Sequence, residues 1–262
     1  MVIIYLNYVI LPQILSHYIT FSQSMSAHNS NRSFRFRQFE VFHDRCAMKV
    51  GTDGVLLGAW ADVCGGTRVL DVGCGSGLVA LMVAQRAPCA TVVGIDIDRM
   101  AVGQAVENVA RSPFADRVVC EVADVRAYAP AFLFDHVVSN PPFFEEDTLP
   151  PDKARMSARN ASALPLAELL SSVSRLLQPA GSFSLILPVQ TADRFVTRAL
   201  AEGWRVVRLC TVWTTLRKPP RRRMLTLTRG HVGEVRQESL VLNAPDGSRS
   251  EAYAKLCGDF YL

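Results

Sequence analysis

Asn140-Pro141-Pro142-Phe143 follows directly on the strand-like run Phe134 to Ser139, and its residue types suit transfer of a group to a planar, poorly nucleophilic nitrogen. In an exocyclic amine of a base the lone pair is delocalised into the ring. A site that accepts hydrogen bonds from both amine protons draws the nitrogen toward tetrahedral geometry and frees that pair. The Asn140 side-chain oxygen and the Pro141 main-chain carbonyl are two such acceptors. The prolines fix φ and bring no competing N–H, while Phe143 offers a face on which a base can stack. Taken alone, the tetrapeptide is equally compatible with a proline-rich turn, because Asn-Pro commonly starts turns.

A second element lies upstream, where Arg68-Val69-Leu70-Asp71-Val72 runs into Gly73-Cys74-Gly75-Ser76-Gly77. A strand ends there and a glycine loop opens a helix, whose first N–H groups face whatever the loop cradles. A dinucleotide fingerprint would place its third glycine at 78, which is Leu78, so a nicotinamide cofactor is disfavoured. The spacing Asp-x-Gly-x-Gly-x-Gly instead resembles the S-adenosylmethionine loop of Rossmann-like methyltransferases. That resemblance implies S-adenosylmethionine as cofactor, with Asp71, Gly73 and Gly75 against its amino-acid part. The next strand, Thr91 to Asp96, ends on a carboxylate able to accept both hydroxyls of a ribose, and Asp96 is the expected ribose ligand. Asp98 is expected to cap the following helix. The third strand, Val118 to Val122, leads to Asp124, which resembles the acid that contacts the cofactor's adenine amine; a plain helix cap is the alternative.

Further upstream runs Asp44-Arg45-Cys46-Ala47-Met48-Lys49-Val50-Gly51-Thr52-Asp53-Gly54-Val55-Leu56-Leu57-Gly58-Ala59-Trp60. Together with the glycine loop, Asn140 to Phe143 and the C-terminal Asp259-Phe260-Tyr261-Leu262, this string resembles the bacterial tRNA(Val) adenine-37 N6-methyltransferase family over residues 34–262. The resemblance implies N6 methylation of an anticodon-loop adenine, and puts Lys49 and Thr52 beside the cofactor's methionine tail. Read locally, Gly51-Thr52-Asp53-Gly54 is a turn and helix start in which Thr52 or Asp53 would cap.

Composition suits a compact intracellular, cytoplasmic enzyme of one domain: 49% of the 262 residues are hydrophobic and 20% charged. The seven cysteines include no Cys-x-x-Cys pair and several sit in apolar runs, so they read as reduced, buried thiols. With five histidines and no ligand spacing, no metal is expected. Residues 1–24 are apolar but carry no lysine or arginine, unlike a secretory signal, and Asn7, Pro12, Gln13 and His17 interrupt them as a span. Translation is expected to begin at Met25, making residues 1–33 an extension before a domain at 34–262. No membrane partner and no obligate protein partner are implied.

The elements that must position these residues alternate between strand-like and helix-like, the pattern of a mostly parallel α/β sheet with helices on both faces. Seven strands are expected, near 67–72, 91–96, 118–122, 134–139, 181–187, 205–213 and 223–229. The last two are joined too closely for a crossover helix, so they should form an antiparallel hairpin at the sheet edge. That hairpin carries Arg217, Lys218, Arg221, Arg222 and Arg223, with no acid between positions 205 and 233. Such clustering is the expected footprint of a polyanion partner, here tRNA, with a solvated face as the alternative, although net charge is only +4. Residues 145–160 read as a mobile lid or substrate loop, whose Lys153, Arg155 and Arg159 either meet phosphates or belong to an ordinary solvated loop. Arg32, Arg35 and Arg37, interleaved with Phe34, Phe36 and Phe39, fit an edge strand with one buried face better than an RNA surface.

These expectations converge on an S-adenosylmethionine-dependent adenine N6-methyltransferase acting on tRNA. Asn-Pro-Pro plus an aromatic also serves methylation of guanine N2 in ribosomal RNA and of glutamine amides in release factors, and the tetrapeptide does not separate the three. A catalytically silent RNA-binding protein would have lost cofactor contacts, yet Asp71, Gly73, Gly75, Asp96 and Asn140 are all present.

Overall fold

The apolar runs at 68–72, 91–96 and 134–139 are too continuous for strands with one wet face. The computed structural model, which describes residues 32–63, 65, 67–142 and 164–262, places them at the centre of a covered sheet. In chain order the strands are β1 (Ser33–Arg35), β2 (Glu40–Phe42), β3 (Arg68–Val72), β4 (Thr91–Asp96), β5 (Val118–Val122), β6 (Phe134–Ser139), β7 (Leu177–Pro188), β8 (Arg205–Trp213), β9 (Arg222–Thr228) and β10 (Arg236–Val241). The helices are α1 (Thr52–Trp60), α2 (Leu78–Arg86), α3 (Arg99–Ala110), α4 (Leu166–Leu176), α5 (Val189–Ala201) and α6 (Glu251–Cys257).

Strands β3 to β10 form one sheet in the order β10-β8-β9-β7-β6-β3-β4-β5. Pairing is parallel except where β9 lies between β7 and β8, antiparallel to both. The expected antiparallel pair is therefore present, but two details differ. Among the described residues the sheet has eight strands, and β10, parallel to β8, forms the edge in place of the hairpin. Glu238 of β10 explains the docking: it accepts the Trp60 indole N–H at 2.7 Å and pairs with Arg208 of β8 at 2.9 Å. The Arg208 guanidinium also lies 4.2 Å from the Trp60 ring centroid.

Two apolar layers hold this sheet. One face packs Leu56, Trp60, Leu81 and Met82 from α1 and α2; the other packs Leu169, Val173, Phe195 and Trp204 around α4 and α5. The hairpin β1–β2 joins the first face through Phe36 and Phe39, which are buried while Arg32, Arg35 and Arg37 are exposed, as the alternation predicts. The C-terminal residues close over it. Phe36 and Tyr261 stack, the Arg37 amide donates to the Phe260 carbonyl at 2.8 Å, and Tyr253 and Tyr261 share a hydrogen bond of 2.9 Å. Cys74, Cys120, Cys210 and Cys257 are buried thiols, whereas Cys89 is exposed, against expectation.

Residues 1–24, Cys64, Phe143 and the basic residues of the 145–160 segment lie outside the described residues. Among the described residues no helix is long and apolar enough to cross a membrane.

Register decides where the chemistry is gathered. Val72 is level with Ile95 on one side and Ser139 on the other, and Asp96 is level with Val122. The next residues, Gly73, Ile97, Ala123 and Asn140, thus leave the sheet together at its carboxyl edge. The chain runs outward from β3 through β4 to β5, then returns to place β6 on the other side of β3. This reversal opens a crevice above β3, the usual ligand position in an open α/β sheet.

Candidate functional site

The crevice is a cleft of about 840 Å³, walled by residues 46–54, 72–76, 95–98, 123–126 and 139–142 and by Leu78, Val79, Ala101 and Leu164. Its size suits a nucleoside-sized ligand.

The floor is the glycine loop. Gly73, Gly75 and Gly77 have φ of 73°, 53° and 80°, the left-handed region that a side chain makes costly. The amides of Gly73 and Cys74 both donate to the Ile95 carbonyl, at 2.8 and 3.0 Å, tying the loop to β4. Asp71 does not reach the cleft wall. Its carboxylate, buried behind the loop, accepts the Ala80 N–H of α2 at 3.0 Å. The side chain that the resemblance sets against the cofactor clasps α2 to β3.

Burial pushes the Asp71 carboxyl up to about 7; the Ala80 N–H opposes the shift and the Asp96 charge adds to it. A folded-state value above the ordinary one means that stability from this group is complete in acid and is lost as pH rises through about 7. Asp71→Asn keeps an oxygen for the Ala80 N–H but does not titrate. Its Tm relative to the parent protein is expected to climb by several degrees between about pH 5 and pH 8. A calorimetric difference independent of pH would show that Asp71 is ionised throughout.

Asp96, at the end of β4, lies on the cleft wall. It accepts the Gly75 N–H on Oδ2 at 2.9 Å and the Asp98 N–H on Oδ1 at 3.0 Å. Each oxygen keeps a lone pair, so two acceptors remain for a cis-diol. Asp98 caps α3, accepting the Met100 N–H at 2.8 Å, as its position predicts.

Asp124 is also on the wall, but it is engaged. Arg126 grips both its oxygens through Nε and Nη2, and the Arg126 amide adds a bond of 3.0 Å to Oδ1. This guanidinium holds the carboxyl below the usual range. An amine reaching Asp124 must displace one of these bonds, a feature the local sequence does not reveal. Arg126 also pairs with Glu168 of α4 at 3.3 Å.

Thr52 opens α1 at the cleft. Neither Thr52 nor Asp53 caps the helix, because Gly51 is the N-cap and no side chain caps there. Asp53 pairs instead with Arg222 of β9 at 2.8 Å, 169 residues away.

Asn140 and Pro141 form the remaining wall. Ser139 secures their approach by donating to the Val72 carbonyl at 2.8 Å. The Asn140 Oδ1 atom is buried, and among the described residues it has no hydrogen-bond partner. A buried amide oxygen without a donor carries a cost of about 1–3 kcal/mol, which an incoming N–H relieves.

Two positioning side chains escaped the sequence reading. Gln104 and Asn108, almost fully buried on α3, stand one turn apart and therefore on one face. Gln104 accepts the Arg45 N–H and donates to Asp44, both at 2.8 Å. Asn108 accepts the Phe42 N–H at 2.9 Å and donates to the carbonyls of Phe42 (2.8 Å) and Ser76 (2.9 Å). They strap the segment before the cleft-lining string along α3 and tie it to the glycine loop. Polar amides at i and i+4 on an otherwise apolar helix face were the signal available.

The basic cluster divides. Arg217, Lys218 and Arg221 are exposed, whereas Arg222 pairs with Asp53 and Arg223 with Asp193 of α5. The loop bearing the exposed three starts at the carboxyl end of β8, where Val212 is level with Arg222, and Arg222 is level with Pro188 at the end of β7. It therefore projects from the same sheet edge as the cleft.

A family model described as the methyltransferase small domain matches residues 51–187. The tRNA1(Val) (adenine(37)-N6)-methyltransferase of Bacteroides thetaiotaomicron is 44% identical over 89% of this chain and 98% of its own. The like-named protein of Citrobacter koseri is 42% identical over 92% of this chain and 99% of its own. Among solved structures, a predicted O-methyltransferase of Agrobacterium tumefaciens superposes with a TM-score of 0.62 at 18% identity, covering 79% of this chain and 96% of that one, a likeness of fold. With glycine loop, ribose-type acid and Asn-Pro-Pro on one cleft, and with relatives this similar along nearly their whole length, the chain belongs to the tRNA1(Val) (adenine(37)-N6)-methyltransferase family.

Proposed function

We propose that this protein methylates N6 of adenine 37 in the anticodon loop of tRNA(Val), using S-adenosylmethionine. The observation that carries the reading is the buried Asn140 Oδ1, without a hydrogen-bond partner among the described residues, on the wall of a cleft floored by the glycine loop. The left-handed glycines, the two remaining acceptors of Asp96 and the cleft volume fit the amino-acid, ribose and base parts of that cofactor. When bound, S-adenosylmethionine supplies a methyl group on a sulfonium, a leaving group that needs no acid to assist it.

The protein's own part is orientation. Asn140 Oδ1 accepts one amine proton and the Pro141 carbonyl the other, which turns the nitrogen lone pair out of the ring. Phe143 is the stacking face for the target base, Asp96 the ribose ligand, and Thr52 the neighbour of the methionine end. Gly73 and Gly75 allow close backbone approach, with Asp71 holding their loop from behind. Asp124 meets the cofactor's adenine amine once Arg126 yields part of its grip. After attack the amine proton passes to solvent, so the site needs no general base, and fixed geometry supplies most of the rate.

The deciding experiment is transfer of labelled methyl from S-adenosylmethionine to total tRNA from a strain lacking the gene, followed by nucleoside mass spectrometry. N6-methyladenosine mapping to the anticodon loop of tRNA(Val) supports the reading. Label on ribosomal RNA or a release factor, with none on tRNA, would move the activity to another planar nitrogen.

Phosphates are met by Arg217, Lys218 and Arg221, which share the cleft's edge of the sheet. Neutralising these three should reduce the slope of log affinity against log salt by about 2, at roughly 0.7 per phosphate contact on single-stranded RNA. Arg222→Ala and Arg223→Ala should act mainly on stability, since each breaks an ion pair within the fold. A triple variant with an unchanged slope would place the RNA surface elsewhere.

A further inference from the structure

Leu216 is 79% exposed, in the same loop as the three exposed cations. Its side chain stands in solvent at the corner of a turn. The Lys218 N–H donates to the Thr215 carbonyl at 3.2 Å, closing a turn with Leu216 and Arg217 at its two corners. Pro219 and Pro220 stiffen the chain beyond it. The loop is fastened at its root, by Arg221 N–H to the Val212 carbonyl (2.9 Å) and by Asn243 N–H to the Thr214 carbonyl (3.0 Å). One residue past the loop, Arg222 grips Asp53 on the cleft wall. A stiff, cationic finger thus carries an apolar tip at the cleft's edge of the sheet.

We propose that Leu216 is a wedge that enters the base stack of the RNA loop and holds the place of the nucleotide drawn into the cleft. The inference rests on the proposed action on an anticodon-loop adenine. A base stacked on its neighbours cannot present its amine to Asn140, and its departure leaves an apolar gap between two base faces. An aliphatic side chain fills such a gap, as apolar wedges do where proteins unstack nucleic acid. The surrounding charge selects the occupant: with Arg217, Lys218 and Arg221 exposed and no acid between positions 205 and 233, a polyanion is the complementary partner. The cations hold the backbone while the wedge acts on the stack, so the two functions separate experimentally.

The test uses the full chain and an anticodon stem-loop of tRNA(Val) that keeps adenine 37 and carries 2-aminopurine as its 3′ neighbour. This fluorophore brightens when its stacking partner leaves. Binding of the parent protein is expected to raise the fluorescence. Leu216→Ala should remove most of that rise at saturating RNA and lower kcat by about tenfold or more, with little change in RNA affinity, salt slope or Tm. Leu216→Met, similar in volume and apolar, should restore both signals. Fluorescence and kcat equal to the parent's in Leu216→Ala would overturn the wedge, as would a loss confined to RNA affinity. If the parent protein methylates no tRNA at all, the proposed substrate fails and the wedge fails with it, an outcome distinct from failure of Leu216 alone.

Discussion

Asn140→Ala is expected to lower kcat by roughly 10²–10³-fold, the loss typical when one preorganised hydrogen-bonding group is removed from a reacting centre. Cofactor affinity should stay nearly intact, because the glycine loop and Asp96 hold each other at the ends of β3 and β4, through the Ile95 carbonyl and the Gly75 N–H. The buried oxygen has no donor among the described residues, so its removal strands no partner among them. Tm should therefore hold or rise slightly, since a buried polar atom without a partner is itself destabilising. Single-turnover methyl transfer and calorimetric titration with S-adenosylhomocysteine separate the two effects. A variant that loses cofactor binding while keeping its rate at saturation would assign Asn140 to the cofactor and leave the amine without its acceptor.

The largest loss of stability is expected from Asn108→Ala. Three backbone groups would lose the fully buried Asn108 amide as partner: the N–H and carbonyl of Phe42 at a half-buried position, and the buried carbonyl of Ser76. At about 1–3 kcal/mol for each stranded group, and with incomplete additivity, the loss is about 3–6 kcal/mol. For a domain of this size that corresponds to a fall in Tm of about 10 °C or more. Ser76 belongs to the glycine loop, so cofactor affinity should fall as well, in contrast to Asn140→Ala. Asn108→Asp keeps the acceptor for Phe42 N–H but turns a carboxylate toward two carbonyls, and should be no better tolerated. A drop in Tm of only a degree or two in Asn108→Ala would show that the strap and the loop are held by other contacts.

The two variants mark the boundary between what was legible in the residue order and what was not. Asn140-Pro141 and the glycine loop could be recognised because their chemistry is local: the backbone conformation, the missing N–H groups and the acceptor are properties of consecutive residues. Strand positions from 68 to 139 followed from equally local apolar runs. The helix cap at Asp98 did too, since donor and acceptor are two residues apart.

Long-range choices were the ones that local reasoning missed. Strand β10 has a polar start, Arg236-Gln237-Glu238, and becomes a strand because β8 offers it a parallel edge and Glu238 finds Trp60 and Arg208. The sequence offers Arg222 and Arg223 alongside the other cations of their cluster, and only the fold pairs them with Asp53 and Asp193. Asp71 and Asp124 have the residue type expected at their positions, yet burial turned one toward Ala80 and a neighbouring guanidinium occupied the other. By itself the sequence determined the chemistry on offer at each strand end, because those properties act within a few residues. Which carboxylates face the cleft, which arginines stay exposed and what holds the glycine loop were decided only by the tertiary structure, because a charged or amide side chain takes its partner from whatever the fold brings within about 3 Å.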